Sequence, residues 1–161
     1  MIIEPSQFRN ALGRFASGVT VITGLAPDGT PVGATVNAFT SLSLEPPLIL
    51  ICLAKSMNSL PAFIEGNHFA INILKDSQRQ ISVNFATQSA DKFSNVAHNT
   101  WSSGVPILSG CLVNMECVRE AVYEGGDHEI IVGRVLRLEI ADSGEPLLFY
   151  RGAYARAADM V

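Results

Sequence analysis

The sequence predicts a mainly β protein with short helices, most simply an antiparallel β-barrel with helical additions. Short segments rich in β-branched and other apolar residues recur along the chain, and turns rich in Gly and Pro join most of them. Regular alternation of strands and helices is missing, as is a G-x-G-x-x-G pattern after a first strand, so a dinucleotide-binding Rossmann fold is disfavoured. We expect about six or seven strands and two or three helices in a single domain over residues 1–161.

The first predicted element is a helix over residues 4–16. Phe8, Leu12 and Phe15 recur at helical spacing and therefore share one face. Ser6 is the expected N-cap, and Gly18 lies just past the expected end.

A pair of strands joined by a turn follows this helix. Residues 19–23 are β-branched throughout, and residues 32–40 form the return strand. Between them, residues 27–30 have the composition of a tight turn, because Pro27 presets φ and Gly29 accepts positive φ. After a break at Glu45-Pro46-Pro47, residues 48–54 are typical of a fully buried strand.

The middle of the chain contains two predicted helices. The first spans residues 59–64, with Pro61 in its first turn. A strand over residues 69–74 follows, and Ser77 then caps the second helix. The side chains that this helix turns inward are Ile81, Phe85 and Ala86.

The last part of the chain is predicted to be irregular at first and then β. Residues 87–107 show no clear periodicity, residues 112–122 are typical of a strand, and Gly125-Gly126 turns the chain. Gly133 indicates a bulge or a close backbone approach within the next strand. The two final strands span residues 130–140 and 147–150.

Charge and hydropathy exclude several classes of protein. The net charge is −4, and Lys and Arg are scattered singly, so the cationic stripe of a nucleic-acid-binding protein is missing. The longest apolar run, Leu48 to Ala54, is too short to span a bilayer, and residues 1–9 lack the pattern of a secretory signal, so we expect a cytoplasmic protein. Only 16% of the residues are charged, which suggests that an oligomer covers part of the surface.

Cysteine and histidine patterns do not indicate a metal site. Cys52, Cys111 and Cys117 lie among apolar neighbours without C-x-x-C spacing, so we expect free thiols packed as small hydrophobic residues. The three histidines are isolated from one another, which argues against zinc.

Three segments could carry chemistry, and each also has a plain structural explanation. Residues 33–43 mix small, hydroxyl and amide side chains that could contact a flat polar heterocycle, or form an ordinary edge strand. Residues 52–59 lead from a strand to a helix start, where backbone N–H groups could hold a phosphate, or simply cap the helix. His128 follows two glycines and an aspartate, where it could face a cleft or merely end a hairpin. No nucleophile elbow, P-loop or H-E-x-x-H motif is present, so an enzyme with this sequence would rely on a cofactor.

The same segments carry a resemblance to a known family. Over residues 6–155, the chain resembles the short-chain flavin reductases, which are the reductase components of two-component flavin-dependent monooxygenases, and it is most similar to the phenol-hydroxylase reductase type. The matching segments, in order, are residues 8–23, 33–47, 69–74, 126–135 and 146–154.

This resemblance implies a split β-barrel and a homodimer with FAD or FMN at its interface. It implies reduction of the flavin by NADH or NADPH, followed by diffusion of reduced flavin to a separate monooxygenase. The scarcity of cationic side chains near the proposed site favours NADH, because no group is evident that would hold a 2′-phosphate.

The resemblance also assigns site residues. His128 matches a histidine near the nicotinamide, Phe93 an aromatic near the flavin, and Tyr154 a C-terminal aromatic. Residues matching the segment that contacts the flavin ring and ribityl chain are Thr35, Val36, Asn37, Ala38, Ser41, Leu42 and Ser43. Residues matching the flavin phosphate region are Cys52, Ala54, Lys55, Ser56 and Ser59.

Two alternatives remain open at this point. One is a flavin-binding barrel of the same type that oxidises the amine of a phosphorylated vitamin, although that reaction would favour more basic residues than this chain has. The other is a non-catalytic barrel that carries a small ligand. Rapid turnover of NADH with free flavin is expected only of a flavin reductase.

Overall fold

The computed structural model describes residues 3–89 and 91–157, most of which lie in antiparallel β-strands. The largest sheet has seven strands in the order β3-β2-β6-β9-β10-β5-β4. These strands are β2 (Thr20–Leu25), β3 (Pro31–Val36), β4 (Phe39–Ser43), β5 (Leu48–Ala54), β6 (His68–Ile73), β9 (Val113–Gly125) and β10 (His128–Ile140).

The two edges of this sheet meet, so the sheet closes into a barrel. β3 and β4 lie at opposite edges, yet only Asn37 and Ala38 separate them in sequence. The backbone N–H of Cys52 in β5 donates to the carbonyl oxygen of Ala38 at 3.0 Å, which continues the β4–β5 pairing into this connection. The barrel therefore remains split along β3, whose outer edge pairs with no strand of this sheet.

Smaller elements cover the barrel. A three-stranded sheet has the order β1-β11-β12, and a separate strand pair is formed by β7 and β8. The bounds of these strands are β1 (Ser17–Gly18), β7 (His98–Thr100), β8 (Pro106–Leu108), β11 (Leu147–Tyr150) and β12 (Ala153–Arg156). The helices are α1 (Pro5–Leu12), α2 (Leu60–Ile64) and α3 (Arg79–Ala86), with a 3₁₀ turn over Asp76–Gln78 before α3.

The barrel interior is apolar and tightly packed. Ile22, Ile51, Phe69 and Ile131 are completely or almost completely buried there. Gly133 provides the space for this packing, since a Cβ at that position would lie 2.4 Å from Cζ of Phe69. The register of β9 and β10 also shifts at Gly133, so both the predicted bulge and the predicted close approach are confirmed.

Several strand predictions are confirmed and others are wrong. Residues 48–54 form β5, but burial alternates along it, because one face points into the barrel and the other is only half covered. The strand predicted over residues 32–40 is divided at Asn37. The turn over residues 27–30 is confirmed, with Gly29 at φ +82°. The prediction missed β1, β7, β8 and β12, all four residues or shorter.

The helix predictions are correct in position and wrong in detail. α1 ends at Leu12, and Glu4 rather than Ser6 occupies its N-cap position because Pro5 starts the helix. Its apolar face remains uncovered, with Phe8 54% and Leu12 58% exposed, and Phe15 lies beyond the helix at 84% exposed.

The helix expected from an N-cap at Ser77 begins one residue later, at Arg79, because residues 76–78 form the 3₁₀ turn and Gln78 holds the N-cap position. Of the side chains expected to point inward, Phe85 is buried and Ile81 half-buried, while Ala86 is exposed. The inward face of α3 therefore ends at Phe85.

The three cysteines are free thiols, as predicted. Cys111 and Cys117 are buried, and burial raises the pKa of Cys117 to about 12. Within residues 3–89 and 91–157, no cluster of His, Cys, Asp and Glu could hold a metal ion. In the same residues, every helix is too short or too polar to traverse a bilayer.

Candidate functional site

A groove of about 720 Å³ runs along the outer edge of β3. Residues 85–89, 92 and 93, at the end of α3 and after it, form one wall. Residues 52–54 of β5 and residues 56–59 of the following loop form the other. Binding sites for small molecules typically have volumes of about 300–1,000 Å³, so this groove is large enough for a ligand with several rings.

Gly33 allows the α3 wall to pack directly on β3. A Cβ at Gly33 would lie 2.6 Å from Cε1 of Phe85 and 2.9 Å from the carbonyl oxygen of Ile22. The Oγ1 of Thr35 adds a hydrogen bond of 2.6 Å to the carbonyl oxygen of Ser82 in α3. The strand and the helix are thus held together at two points along the groove.

Most of the site residues that the sequence indicated lie together on this groove. They come from β3, the connection to β4, the end of β5, the loop before α2, the segment after α3 and the start of β10. These lining residues are Thr35, Val36, Asn37, Ala38, Cys52, Ala54, Ser56, Ser59, Phe93 and His128.

Other indicated residues lie elsewhere in the chain. Ser41, Leu42 and Ser43 belong to β4 and do not line the groove. Leu42 is 49% exposed, so this strand presents apolar surface away from the site. Lys55 and Tyr154 also lie outside the groove, each engaged by other side chains.

Lys55 is occupied by carboxylates. Its Nζ lies 2.7 Å from Oε1 of Glu124 and 3.7 Å from Oε1 of Glu129. The hydrogen bond that Lys55 donates to Glu124 is the largest influence on its pKa and raises it, and the charge of Glu124 adds to this against a smaller opposing effect of desolvation. Its charge is therefore compensated on the outside of the hairpin rather than presented to the groove.

Tyr154 supports the α3 wall from behind. Its Oη lies 2.8 Å from Oγ of Ser82, the residue whose carbonyl oxygen accepts the hydrogen bond from Thr35. Its ring packs against Phe149 at a centroid distance of 5.6 Å, and the guanidinium of Arg79 lies 5.2 Å from the ring centroid. Tyr154 thus braces the helix that lines the groove.

Phe93 presents an aromatic ring held by two neighbours. It packs edge-to-face on Phe85 with ring centroids 5.0 Å apart, and against His98 at 5.2 Å. Its ring is therefore restrained at the mouth of the groove, where an aromatic ligand could stack on it.

His128 lines the groove and is oriented by its neighbour. Its Nδ1 lies 2.7 Å from Oδ1 of Asp127, and the hydrogen bond and charge of the imidazole lower the pKa of Asp127. With a carboxylate on Nδ1, the neutral tautomer that donates to Asp127 leaves Nε2 as an acceptor. The turn before it is tight, with Gly126 at φ +75°.

Sequence reasoning missed Lys92. Its Nζ donates to the carbonyl oxygens of Gly33 at 3.0 Å and Phe85 at 3.1 Å, and burial lowers its pKa. Both partners are neutral, so its positive charge lies uncompensated beside the groove. The only clue in the sequence is its position next to Phe93, because its partners lie in β3 and in α3 and depend on how these elements pack.

The groove is electrostatically suited to an anionic heterocycle. Its lining residues in the described chain include Lys92 and His128 but no Asp or Glu, although the chain as a whole carries a net charge of −4. Ser56, Asn58 and Ser59 add polar side chains at one end, and Phe93 adds an aromatic face. A ligand with a flat ring system and a phosphate matches this distribution.

Comparisons with known proteins point in the same direction. Residues 12–158 match the family described as "Flavin reductase like domain". The chain is 48% identical, over 92% of its own length and 84% of the relative's, to the FMN reductase (NADH) SmoA of Agrobacterium fabrum. It is 41% identical to HsaB of Rhodococcus jostii, the reductase subunit of a flavin-dependent monooxygenase, over 94% of this chain and 77% of that one.

A solved structure supports the same relationship. The NADH:FAD oxidoreductase SgcE6 of Streptomyces globisporus C-1027, determined in complex with NAD and FAD fragments, superimposes with a TM-score of 0.91 at 34% identity. The match covers 98% of this chain and 97% of that one.

Proposed function

This chain belongs to the flavin reductase-like domain family, and we propose that the groove along β3 is where it binds flavin. It is an NADH-dependent flavin reductase, and it supplies reduced FAD or FMN to a separate monooxygenase component. One observation supports this location for the flavin. An aromatic ring, a set of small polar residues and two basic side chains line the same groove, and no carboxylate lines it in the described chain.

The residues of the groove fit a flavin in three respects. Thr35, Asn37 and the backbone of β3 form a polar edge along which a tricyclic ring can lie. The loop with Ser56 and Ser59 offers hydroxyl and backbone N–H donors for a phosphate. The groove is not an enclosed cavity, so one face of the ring can remain available to a nicotinamide and the flavin can leave.

When bound, the flavin accepts hydride from NADH and carries the electrons onward. The contribution of this chain is positioning, since hydride transfer depends on the stacking and distance of the two rings. Phe85, Thr35 and Lys92 fix the wall of the groove, and Phe93 restrains an aromatic ligand at its mouth. His128 reaches the groove from the opposite side, where Nε2 can hydrogen-bond the carboxamide of the nicotinamide or the edge of the flavin.

We also propose that the chain works as a homodimer. Leu44, directly after β4, is 93% exposed. Further apolar side chains are exposed in β4 and at the end of β10, two strands that only β5 separates in the sheet. These are Leu42 at 49%, Leu138 at 51% and Ile140 at 70%. A second copy packed there would remove this surface from water and would bring β4, with Ser41 and Ser43, to an interface.

Sedimentation velocity tests the dimer. Leu44→Glu together with Ile140→Glu should shift the protein to monomer and weaken flavin binding in parallel, whereas Val83→Glu, at an exposed apolar position on α3, should leave the dimer intact. A wild-type monomer at concentrations that saturate with flavin is incompatible with this proposal.

We propose that the protein works in the cytoplasm. All three cysteines are free, and two of them are buried as thiols, which suits a reducing compartment where NADH is supplied. Oxidation of Cys52 in a chain recovered from intact cells would argue against it.

Ser56→Asp tests the flavin site directly. An added carboxylate beside the phosphate should weaken FMN binding by about 1–3 kcal/mol, and riboflavin, which lacks the phosphate, much less. Ser143→Asp adds the same charge on an exposed loop outside the groove and serves as the matched control. Equal losses for FMN and riboflavin would place the phosphate elsewhere.

A further inference from the structure

A second groove, also of about 720 Å³, lies beside the first. It is formed by the end of α1, the segment after it, Phe149 of β11 and the turn after β11. Asn37 lines both grooves, so the two adjoin at this residue. We call it the arginine groove, because Arg9, Arg14 and Arg151 all line it.

These three arginines differ from the rest of the described chain. Within residues 3–89 and 91–157, none of them forms an ion pair or a side-chain hydrogen bond, and no Asp or Glu lines the groove. Every other arginine there has a partner. Arg134, Arg137 and Arg156 pair with carboxylates. The guanidinium of Arg79 lies over the ring of Tyr154, and Arg119 donates to the carbonyl oxygen of Gly66.

The backbone at Arg151 is also unusual. Arg151 has φ +53°, the only positive φ among non-glycine residues in the described chain, and its N–H donates to the carbonyl oxygen of Gly13 at 2.8 Å. A left-handed conformation costs a residue with a Cβ about 1–2 kcal/mol. Arg151 and Gly152 are the two central residues of the tight turn between β11 and β12, which requires positive φ at both, so this turn fixes the position of Arg151 at the groove.

Leu12, Phe15 and Phe149 add apolar side chains to the walls of the arginine groove. Phe15 is 84% exposed and Leu12 is 58% exposed, so both side chains are accessible to a ligand. Guanidinium groups bind phosphates through paired hydrogen bonds, and an exposed phenyl ring stacks with a planar base. A ligand with adjacent phosphates and an aromatic base matches both features.

We infer that the arginine groove binds the adenosine-diphosphate part of a dinucleotide whose reactive ring lies in the flavin groove. This inference rests on the proposed function. NADH and FAD share this adenosine-diphosphate part, and reduced nicotinamide mononucleotide and FMN are the matching molecules without the adenylate. The arginines would then determine the preference for dinucleotides over mononucleotides.

The test compares each dinucleotide with its mononucleotide. In the double variant Arg14→Gln/Arg151→Gly, the glycine tolerates the positive φ, so the fold should be retained. We expect the KM for NADH to rise at least about tenfold while the KM for reduced nicotinamide mononucleotide and kcat stay unchanged. If FAD is the occupant, the Kd for FAD rises instead while the Kd for FMN stays unchanged. Arg134→Gln, outside both grooves, is the control.

Direct binding supplies a readout that does not depend on turnover. Calorimetric titration of the flavin-free protein with ADP-ribose should show binding to wild type that the double variant loses. Unchanged constants for NADH and FAD in the double variant would overturn the inference, and so would equal losses for dinucleotides and mononucleotides. A sedimentation coefficient that differs between wild type and the double variant would also overturn it, because it would show that copies of this chain occupy the groove. If wild type does not oxidise NADH with flavin at all, the proposed function itself has failed.

Discussion

The Nζ of Lys92 donates a hydrogen bond of 3.0 Å to the carbonyl oxygen of Gly33 in the edge strand of the split barrel. The same ammonium group reaches the carbonyl oxygen of Phe85 at 3.1 Å, and Asn84 in turn donates to the carbonyl oxygen of Lys92 at 2.6 Å. One lysine thus connects β3, the end of α3 and the segment that carries Phe93. Burial lowers the pKa of Lys92, and no carboxylate in the described chain lines the groove beside it.

Lys92→Met should therefore weaken flavin binding. The variant keeps the length of the side chain but removes the charge and both hydrogen bonds, so we expect the Kd for FMN to rise about tenfold. The Tm should fall by about 2–4 °C for each kcal/mol of stability lost. Flavin fluorescence titration and thermal unfolding measure the two effects.

The matched control is Lys55→Met, which removes the other lysine near the site. Its ion pair with Glu124 is exposed, and such pairs contribute little, so FMN affinity should change less than twofold or so. A larger loss with Lys55→Met than with Lys92→Met would restore Lys55 to the phosphate site that the sequence suggested for it.

The sequence predicted elements whose cause is local. The β-branched residues before Gly24 and the Pro-Asp-Gly turn after it form what their composition indicates. The division at Asn37 could not be predicted, because no proline or glycine marks it and it arises from closure of the barrel. The alternating burial of β5 was also hidden, since its seven residues are apolar on both faces.

The site was predictable where one segment supplies several lining residues. Residues 35–38 and 52–59 stood out because small and polar side chains cluster in sequence there. Lys92 could not be found in this way, as its partners lie on other elements. Tyr154 was indicated only by resemblance to a C-terminal aromatic, and the structure places its hydroxyl against Ser82 of α3, behind the groove.

Gly33→Ala should damage the groove by overpacking. The new methyl group would lie 2.6 Å from Phe85 and 2.9 Å from a backbone oxygen that cannot move independently. We expect a loss of about 1–3 kcal/mol in the free energy of unfolding, together with weaker flavin binding. Gly18→Ala has no neighbour within 4 Å of the new Cβ and should be neutral in both measurements. A stable Gly33→Ala protein with normal flavin affinity would show that α3 need not contact β3.

Glu116 should make the stability of the protein sensitive to acid. Glu116 is 1% exposed, and burial alone would raise the pKa of its carboxyl group. Hydrogen bonds from the N–H of Ser103 at 2.9 Å, from Oγ of Ser103 and from Oγ of Ser102 at 2.9 Å outweigh that effect and leave the pKa below the ordinary value of 4.5.

Because the folded state binds this proton less readily than the unfolded state, the stabilisation is complete above the ordinary pKa and is lost as the pH falls through the lowered one. Glu116→Gln should cost about 1–3 kcal/mol at neutral pH and flatten the decline of stability in acid. Urea unfolding at several pH values measures this, with the fluorescence of Trp101 as a probe of the attached segment. Glu120 forms an exposed ion pair with Arg134, so Glu120→Gln should retain the acid dependence of wild type. If Glu116→Gln also retained it, Glu116 would not be the source of the acid sensitivity.

His128 is expected to affect the reaction with NADH more than the affinity for flavin. Its Nδ1 is held 2.7 Å from Asp127, so Nε2 is the atom available to a ligand in the groove. A positioning hydrogen bond typically contributes a few kcal/mol to the transition state, and His128→Ala should therefore lower kcat/KM for NADH by about tenfold to a hundredfold. The Kd for flavin should change much less, because the polar loop and the α3 wall remain in place.

Two amide variants separate this role from a purely structural one. The side-chain amide of His128→Gln can reach close to the position of Nε2, whereas that of His128→Asn can replace only the bond from Nδ1 to Asp127. If Nε2 orients the nicotinamide, glutamine should restore part of kcat/KM for NADH and asparagine should restore none. If His128 only completes the turn between β9 and β10, asparagine should restore thermal stability, flavin affinity and NADH kinetics together, and the catalytic assignment would be wrong.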